Sequence, residues 1–187
     1  MEFISDRVSI ERPADGGMSV VIGNRLPNGQ LYMLIGWLVA WLLCGAAFLH
    51  ELVTGTDPEL RVPLVVMLVF WAYFQARILR VVLWRTKGFE LWRLKEGELT
   101  VKDSLFGFGK ANRYFVANIQ RFGPLNIDKD SWKWQLSASF WTRGAEQLGF
   151  EYQGRKVAFG RGLTDAEARA LAQQFGVALK RERKAEA

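Results

Sequence analysis

Hydrophobic and polar positions follow three different rhythms along this chain. From Leu31 to Leu49 the sequence LYMLIGWLVAWLLCGAAFL runs for 19 residues without a charge. At about 1.5 Å of rise per residue, a helix there spans about 28 Å, close to the hydrocarbon thickness of a bilayer. A second run, Val62 to Ala76, is free of charge for 15 residues, and Arg77 and Arg80 follow on one helical face. Long arginine stems can carry their charge to the headgroups while Ile78, Leu79, Val81 and Val82 stay in apolar surroundings. Trp84 then falls where an interfacial anchor belongs. The pattern predicts two membrane spans, about residues 31–50 and 62–84, within a helical hairpin over 31–87. The short link His50 to Arg61, with Thr54-Gly55-Thr56-Asp57-Pro58, makes them antiparallel neighbours. Gly36, Ala40, Cys44 and Gly45 form a ridge of small residues. Such a ridge lets helices approach closely, by packing on the second span or between protomers.

From Gly88 onward the rhythm becomes that of strands. Phe89 to Leu94 leads through the turn Lys95-Glu96-Gly97 into an alternating stretch around Leu99 and Val101. Leu148 to Tyr152 faces Lys156 to Phe159 across Gln153-Gly154-Arg155, a hairpin signature. WKWQLSASFW, Trp132 to Trp141, alternates apolar and polar residues and reads as a strand. Tyr114 to Gln120 and Arg121 to Ile127 are weaker strand candidates. At Thr164 the period turns helical: Thr164-Asp165-Ala166-Glu167 is a capping box preceded by Leu163 as staple. Ala168, Leu171, Ala172, Phe175 and Leu179 then form one stripe, predicting a helix over about 164–183. Residues 88–187 thus read as a soluble domain. Residues 1–30 read as a β-hairpin, with Val8–Glu11 and Ser19–Ile22 as strands, expected to join that domain's sheet.

Half of the 187 residues are apolar and 24% are charged, and the charge is nearly absent between Leu31 and Phe74. That uneven distribution implies two solvents rather than one mixed core. Basic residues set the orientation. Arg7, Arg12 and Arg25 precede the first span; Arg77, Arg80, Arg85, Lys87, Arg93 and Lys95 end or follow the second; the link carries only Arg61. The positive-inside bias places both termini and the soluble domain in the cytoplasm, in a multi-pass protein of the cytoplasmic (inner) membrane. It also accounts for the net charge of +6 without nucleic acid, which is not expected as a partner.

The layout of strand hairpins, the stretch Phe115-Val116-Ala117-Asn118-Ile119, a late hairpin entering Phe159-Gly160 and a capped terminal helix resembles the bacterial pleckstrin-homology-like domains. Many of these follow a transmembrane hairpin. The stretch Val157 to Ala168 is the most similar piece, and the resemblance spans about residues 31 to 180. It implies an α+β membrane protein with a small antiparallel barrel or bent sheet capped by the C-terminal helix, and it implies no catalytic chemistry.

Chemistry-bearing residues are sparse. Cys44 is the sole cysteine and His50 the sole histidine, so neither a disulfide nor a His/Cys metal site can be assembled within one chain. Asp128-Lys129-Asp130 reads as a solvated turn, and Phe106-Gly107-Phe108-Gly109-Lys110 lacks the spacing of a phosphate loop. No enzyme, metal or cofactor is expected. Two surfaces stand out instead. Arg77, Arg80, Trp84, Arg85 and Lys87 serve as a topological anchor or as a contact for anionic lipid headgroups. The loop Leu105, Phe106, Phe108 and Lys110 either plugs the end of a barrel or touches a partner or the membrane. The expectation is a non-enzymatic, membrane-anchored binding or assembly module, its partners the bilayer and a protein or a second copy of itself. The alternatives are an oligomeric membrane component, such as a transporter or channel accessory subunit, and an anionic-lipid-binding module.

Overall fold

The computed structural model describes residues 2–13, 17–126, 130–139 and 141–186. The chain divides into a helical unit, Leu26–Arg85, and a sheet unit made of Met1–Arg25 together with Thr86–Ala187.

In the helical unit, helices α1 (Asn28–Thr54) and α2 (Arg61–Lys87) are each 27 residues long. A 3-10 turn at Pro58–Leu60 precedes α2, with the Asp57 carboxylate accepting from the Glu59 N–H at 2.9 Å. Both helices are long and apolar enough to cross a membrane, with mean hydropathies of 2.0 and 1.8 over their apolar windows. Their less exposed positions recur at spacings of three and four: Leu34, Leu38, Trp41, Gly45 and Phe48 on α1, and Leu64, Leu68, Trp71, Gln75 and Ile78 on α2. This is the seam of a helix pair, and between Leu31 and Leu49 and between Val62 and Phe74 the remaining surface is apolar and mostly exposed. At its middle the Trp71 indole N–H donates to the Trp41 carbonyl at 2.7 Å, and the Trp41 indole returns a bond of 3.4 Å to the Trp71 carbonyl. Gly45 makes that approach feasible, because a Cβ there would overlap the Trp71 ring. The small-residue ridge is therefore split. Only Gly45 packs on α2; at Gly36 a Cβ would meet no neighbour within 4 Å, and Ala40 and Cys44 are exposed.

The sheet unit holds two antiparallel sheets. The larger runs in sequence order through β1 (Glu2–Ser5), β2 (Val8–Glu11), β3 (Met18–Gly23), β4 (Gly88–Lys95), β5 (Glu98–Leu105) and β6 (Ala111–Phe115). The smaller contains β7 (Ile119–Pro124), β8 (Glu146–Tyr152) and β9 (Arg155–Arg161), in that order. Helix α3 (Trp132–Ala138) lies between β7 and β8, and helix α4 (Asp165–Glu186) ends the chain. Strands β3 and β4 pair from Met18↔Leu94 to Gly23↔Phe89, although the whole helical unit separates them in sequence. The Asn24 N–H donates to the Gly88 carbonyl at 3.4 Å, just beyond the last rung.

Period-two alternation sends Met18, Val20 and Ile22 of β3 and Trp92 and Leu94 of β4 inward. Ala168, Leu171, Phe175 and Leu179 of α4 cover them, all 4% exposed or less. Trp92 is the hub, edge-on to Phe159 (ring centroids 4.8 Å) and to Phe175 (5.6 Å), a geometry favoured by the ring quadrupoles. The capping box forms: the Thr164 N–H donates to Glu167 Oε2 at 2.7 Å, and the Glu167 N–H donates to the Thr164 hydroxyl at 3.3 Å. The same carboxylate accepts from Ser5 Oγ (2.7 Å) and from Arg7 Nη2 (2.7 Å), tying the β1–β2 turn to the start of α4. Burial alone would raise the Glu167 carboxyl, but Arg7, Thr164 and Ser5 hold it down at about 2.

Of the expected barrel or bent sheet, the structure has two antiparallel sheets that do not close into a barrel. Two strand expectations are corrected. The stretch Phe115 to Ile119 is not a strand: a 3-10 turn at Val116–Asn118 separates β6 from β7. Val116 and Ile119 are both buried, three apart, and that spacing suits a turn of three residues better than alternation. Trp132 to Ala138 is a helix, not a strand. Its hydroxyls bind locally, Ser137 Oγ to the Trp134 carbonyl (2.9 Å) and Thr142 Oγ1 to those of Ser137 (2.6 Å) and Ser139 (2.9 Å). Such bonds give the backbone an alternative to a sheet ladder. Ala14, Asp15 and Gly16 of the N-terminal turn, Ile127, Asp128, Lys129 and Phe140 lie outside the described residues.

Candidate functional site

The inner face of β4 carries one residue that does not belong in an apolar core. Glu90 is in phase with Trp92 and Leu94 and is only 1% exposed. Its carboxylate accepts the Trp92 indole N–H at 2.6 Å, the Gly160 N–H at 2.8 Å and the Arg161 N–H at 3.0 Å. The last two donors belong to β9, so Glu90 clips the larger sheet to the smaller one. Gly160 sits at φ +75°, and a Cβ there would come within 2.9 Å of Leu163. Only glycine adopts that backbone without strain, so the clip depends on it. Burial raises the Glu90 carboxyl above its ordinary value, against the opposing pull of the Arg161, Gly160 and Trp92 donors.

Beside Glu90 lies a cavity of about 270 Å³, walled by both sheets. One wall presents Arg161, whose guanidinium binds Glu146 Oε1 at 2.6 Å and Asp103 Oδ2 at 3.1 Å. Arg143 reaches the same Asp103 oxygen at 3.1 Å. Burial works against the Arg161 charge, yet Glu146 and Asp103 more than offset it and raise the group above its usual range. Two carboxylates thus face two guanidiniums. The opposite wall is the inner face of β6 and the residue just before it: Lys110, Asn112 and Tyr114. Burial, with Tyr152 alongside, pushes the Tyr114 hydroxyl up.

The β5–β6 connection leads directly to that wall. Leu105 and Phe108 exchange backbone hydrogen bonds of 2.8 and 3.0 Å around Phe106 and Gly107, both at positive φ (+54° and +85°). Lys102 Nζ donates to the Gly107 carbonyl at 2.9 Å and fixes the tip. Phe106 is 56% exposed and Phe108 83%, so the loop does not plug the end of a barrel. Leu105 is half-buried and Lys110 exposed.

The second predicted surface does not present five side chains together. Arg77, Arg80 and Lys87 are exposed, whereas Trp84 and Arg85 are 2% and 5% exposed. Arg77 donates to the Tyr73 hydroxyl at 3.0 Å and stacks over its ring at 5.8 Å. Two features escaped the sequence. Glu90 was visible in principle, as the one carboxylate in phase with Trp92 and Leu94. The exposed apolar hollow around Trp132, Leu136 and Trp141 was hidden by the strand-like alternation of that segment. Comparison with protein-family models, with curated proteins and with solved structures gives no match for this chain.

Proposed function

We propose that this chain is a membrane-anchored binding module whose sheet unit, of pleckstrin-homology-like type, engages a protein partner beside the bilayer. The observation that carries this reading is the exposed apolar hairpin tip. Phe106 and Phe108 are held out by their own backbone bonds, and Phe106 is kept at a positive φ unusual for a bulky residue. Apolar side chains displayed on a fixed backbone suit recognition of a partner more than packing. The sheet also supports a two-span anchor. Strands β3 and β4 are hydrogen-bonded neighbours on either side of the helical unit, so both must lie in one compartment. Either both helices cross the bilayer or neither does, and their uncovered apolar surfaces favour crossing. The basic residues flanking the pair favour a cytoplasmic position for the sheet unit and both termini.

Crosslinking in native membranes, followed by mass spectrometry, tests the reading. A crosslinked protein that disappears in Phe106→Ser/Phe108→Ser supports it; a pattern unchanged by that double substitution overturns it. A second reading, self-association through the spans, is favoured by one observation: Gly36, Ala40 and Cys44 are turned away from α2. It requires homo-oligomers that persist in the phenylalanine variant and are lost in Gly36→Leu.

A further inference from the structure

Two arginines of the helical unit sit at a level where the helices are otherwise apolar. The reciprocal bonds between Trp41 and Trp71 fix the level of one helix against the other. Counting six residues from each tryptophan puts Arg77 of α2 level with Ile35 of α1, and nine residues puts Arg80 level with Tyr32. The charge-free run of α1 begins at Leu31, so Arg77 lies four residues, about 6 Å, within the apolar band. Tyr73, Arg77 and Arg80 all lie off the seam with α1 and are exposed, Tyr73 at 54%. Their spacings of four and three bring them onto one face of the helix.

Within the helix pair no carboxylate answers these charges. Asp and Glu are absent between Leu26 and Leu49 and between Val62 and Lys87. The carboxylates of the helical unit, Glu51, Asp57 and Glu59, belong to the opposite end of the pair. Neither Arg77 nor Arg80 forms an ion pair among the described residues. Arg77 turns back instead to Tyr73, four residues nearer the Trp41–Trp71 level, donating to its hydroxyl at 3.0 Å and lying over its ring at 5.8 Å. Its stem thus runs away from the end of the apolar band, in the direction helical side chains lean. One bond leaves most of the five guanidinium N–H donors, and Tyr73, as acceptor, keeps its own O–H to donate. A cation held this way against hydrocarbon is costly, and an anion drawn to it removes that cost.

We infer that Tyr73, Arg77 and Arg80 bind the phosphate of an anionic phospholipid, drawn down beside α2. All three side chains offer donors, and a phosphodiester offers only acceptors. The planar guanidinium fork takes phosphate oxygens two at a time, and Arg80, one turn nearer the end of the band, meets the same group from above. A zwitterionic lipid brings its phosphate with an ammonium attached, and this end of the helix pair has no carboxylate to receive it. The site therefore favours a headgroup of net negative charge. A lipid is the source of the phosphate because the donors lie inside the apolar band, where soluble anions do not partition. The inference rests on the two-span anchor proposed above and is independent of the hairpin tip.

The test is native mass spectrometry of the full chain released from nanodiscs of equal phosphatidylglycerol and phosphatidylcholine. Phosphatidylglycerol should stay bound in preference to phosphatidylcholine by at least about tenfold. Arg77→Gln/Arg80→Gln should abolish that preference. Arg77→Lys keeps the charge that sets topology but loses the fork, and should reduce the preference several-fold. Lys87→Gln removes a charge from the same helix beyond the apolar band and should leave the preference unchanged. Equal retention of the two lipids, a preference that survives the double substitution or is untouched by Arg77→Lys, an equal loss in Lys87→Gln, or displacement of the lipid by inorganic phosphate would each overturn the inference. Extraction of membranes at alkaline pH separates this from failure of the two-span reading. A parent chain washed off by alkali removes both; a chain that stays in the pellet yet treats the two lipids alike removes only the lipid site.

Discussion

Val69 in α2 and Val177 in α4 are equally exposed, at 66% of their surface, yet they belong to regions built on opposite rules. In the sheet unit apolar side chains are sorted inward: Val8 and Val20 are fully buried, and α4 shows the core one stripe only. In the helical unit the sorting is absent. Val53, Val62 and Tyr32 are 70% exposed or more, and up to Leu79 the sheltered positions of α2 are confined to the seam between the helices. An isolated exposed valine such as Val177 needs no explanation, whereas two helices uncovered on nearly every face do. Exposure acquires meaning only from the pattern around it, and here the pattern is that of two helices apolar enough to cross a membrane.

Substitutions should act differently in the two regions. The largest effect belongs to the sheet core: Trp92→Ala or Phe175→Ala should cost about 3–5 kcal/mol, because each leaves a void among rings that cannot close over it. Chemical denaturation of the sheet unit's transition would measure it. Next comes Val69→Asp, which should cost about 2.5–3.5 kcal/mol of insertion if the helix sits in a bilayer. It should shift protein from the alkali-resistant membrane pellet to the soluble or degraded fraction; an unchanged pellet would place α2 outside the hydrocarbon.

The cap at Glu167 should contribute about 2 kcal/mol, lost in Glu167→Gln. Its pH dependence has a definite sign. The folded carboxyl titrates near 2, below its ordinary value of 4.5, so its stabilisation is complete above 4.5 and declines as the pH falls toward 2. Melting curves at neutral pH and at about pH 3 should therefore differ less in Glu167→Gln than in the parent chain. Burial of Glu90 acts in the opposite direction: its folded carboxyl is raised, so its protonated form favours the fold at low pH and that advantage fades as pH rises. The smallest effect is the matching control, Val177→Asp, expected within about 0.5 kcal/mol in melting experiments. A large loss there would mean that α4 has an apolar neighbour too.

Much of this was legible in the chain. The charge-free runs give both long helices, the Leu163–Glu167 signature gives the cap, and the Gln153-Gly154 turn gives the β8–β9 hairpin. These signals are local, carried by period or by one turn's chemistry. What was not legible depends on tertiary context. Phe115 to Ile119 reads as one continuous strand with apolar residues at both ends, and only the switch between sheets turns Val116–Asn118 into a 3-10 turn. In WKWQLSASFW, alternation and helical spacing coexist, and hydroxyls bonding back to their own carbonyls decided for the helix. The partnership of Glu90 with Gly160 joins residues 70 apart in sequence, beyond the reach of any local rule.

The pairing of β3 with β4 bears on how the protein is made. Residues 24 to 87, both helices included, leave the ribosome between the end of one strand and the start of its neighbour. At about 5–20 residues per second, β1 to β3 wait several seconds with β3's pairing edge open while the intervening segment is still being synthesised. A nascent sheet left in that state is a target for chaperones, for proteases and for its own copies on neighbouring ribosomes. Under the two-span reading proposed above, completion of the sheet would become a checkpoint on membrane insertion: a helical pair that failed to return its second end to the starting side would leave the half-sheet with nothing to close it.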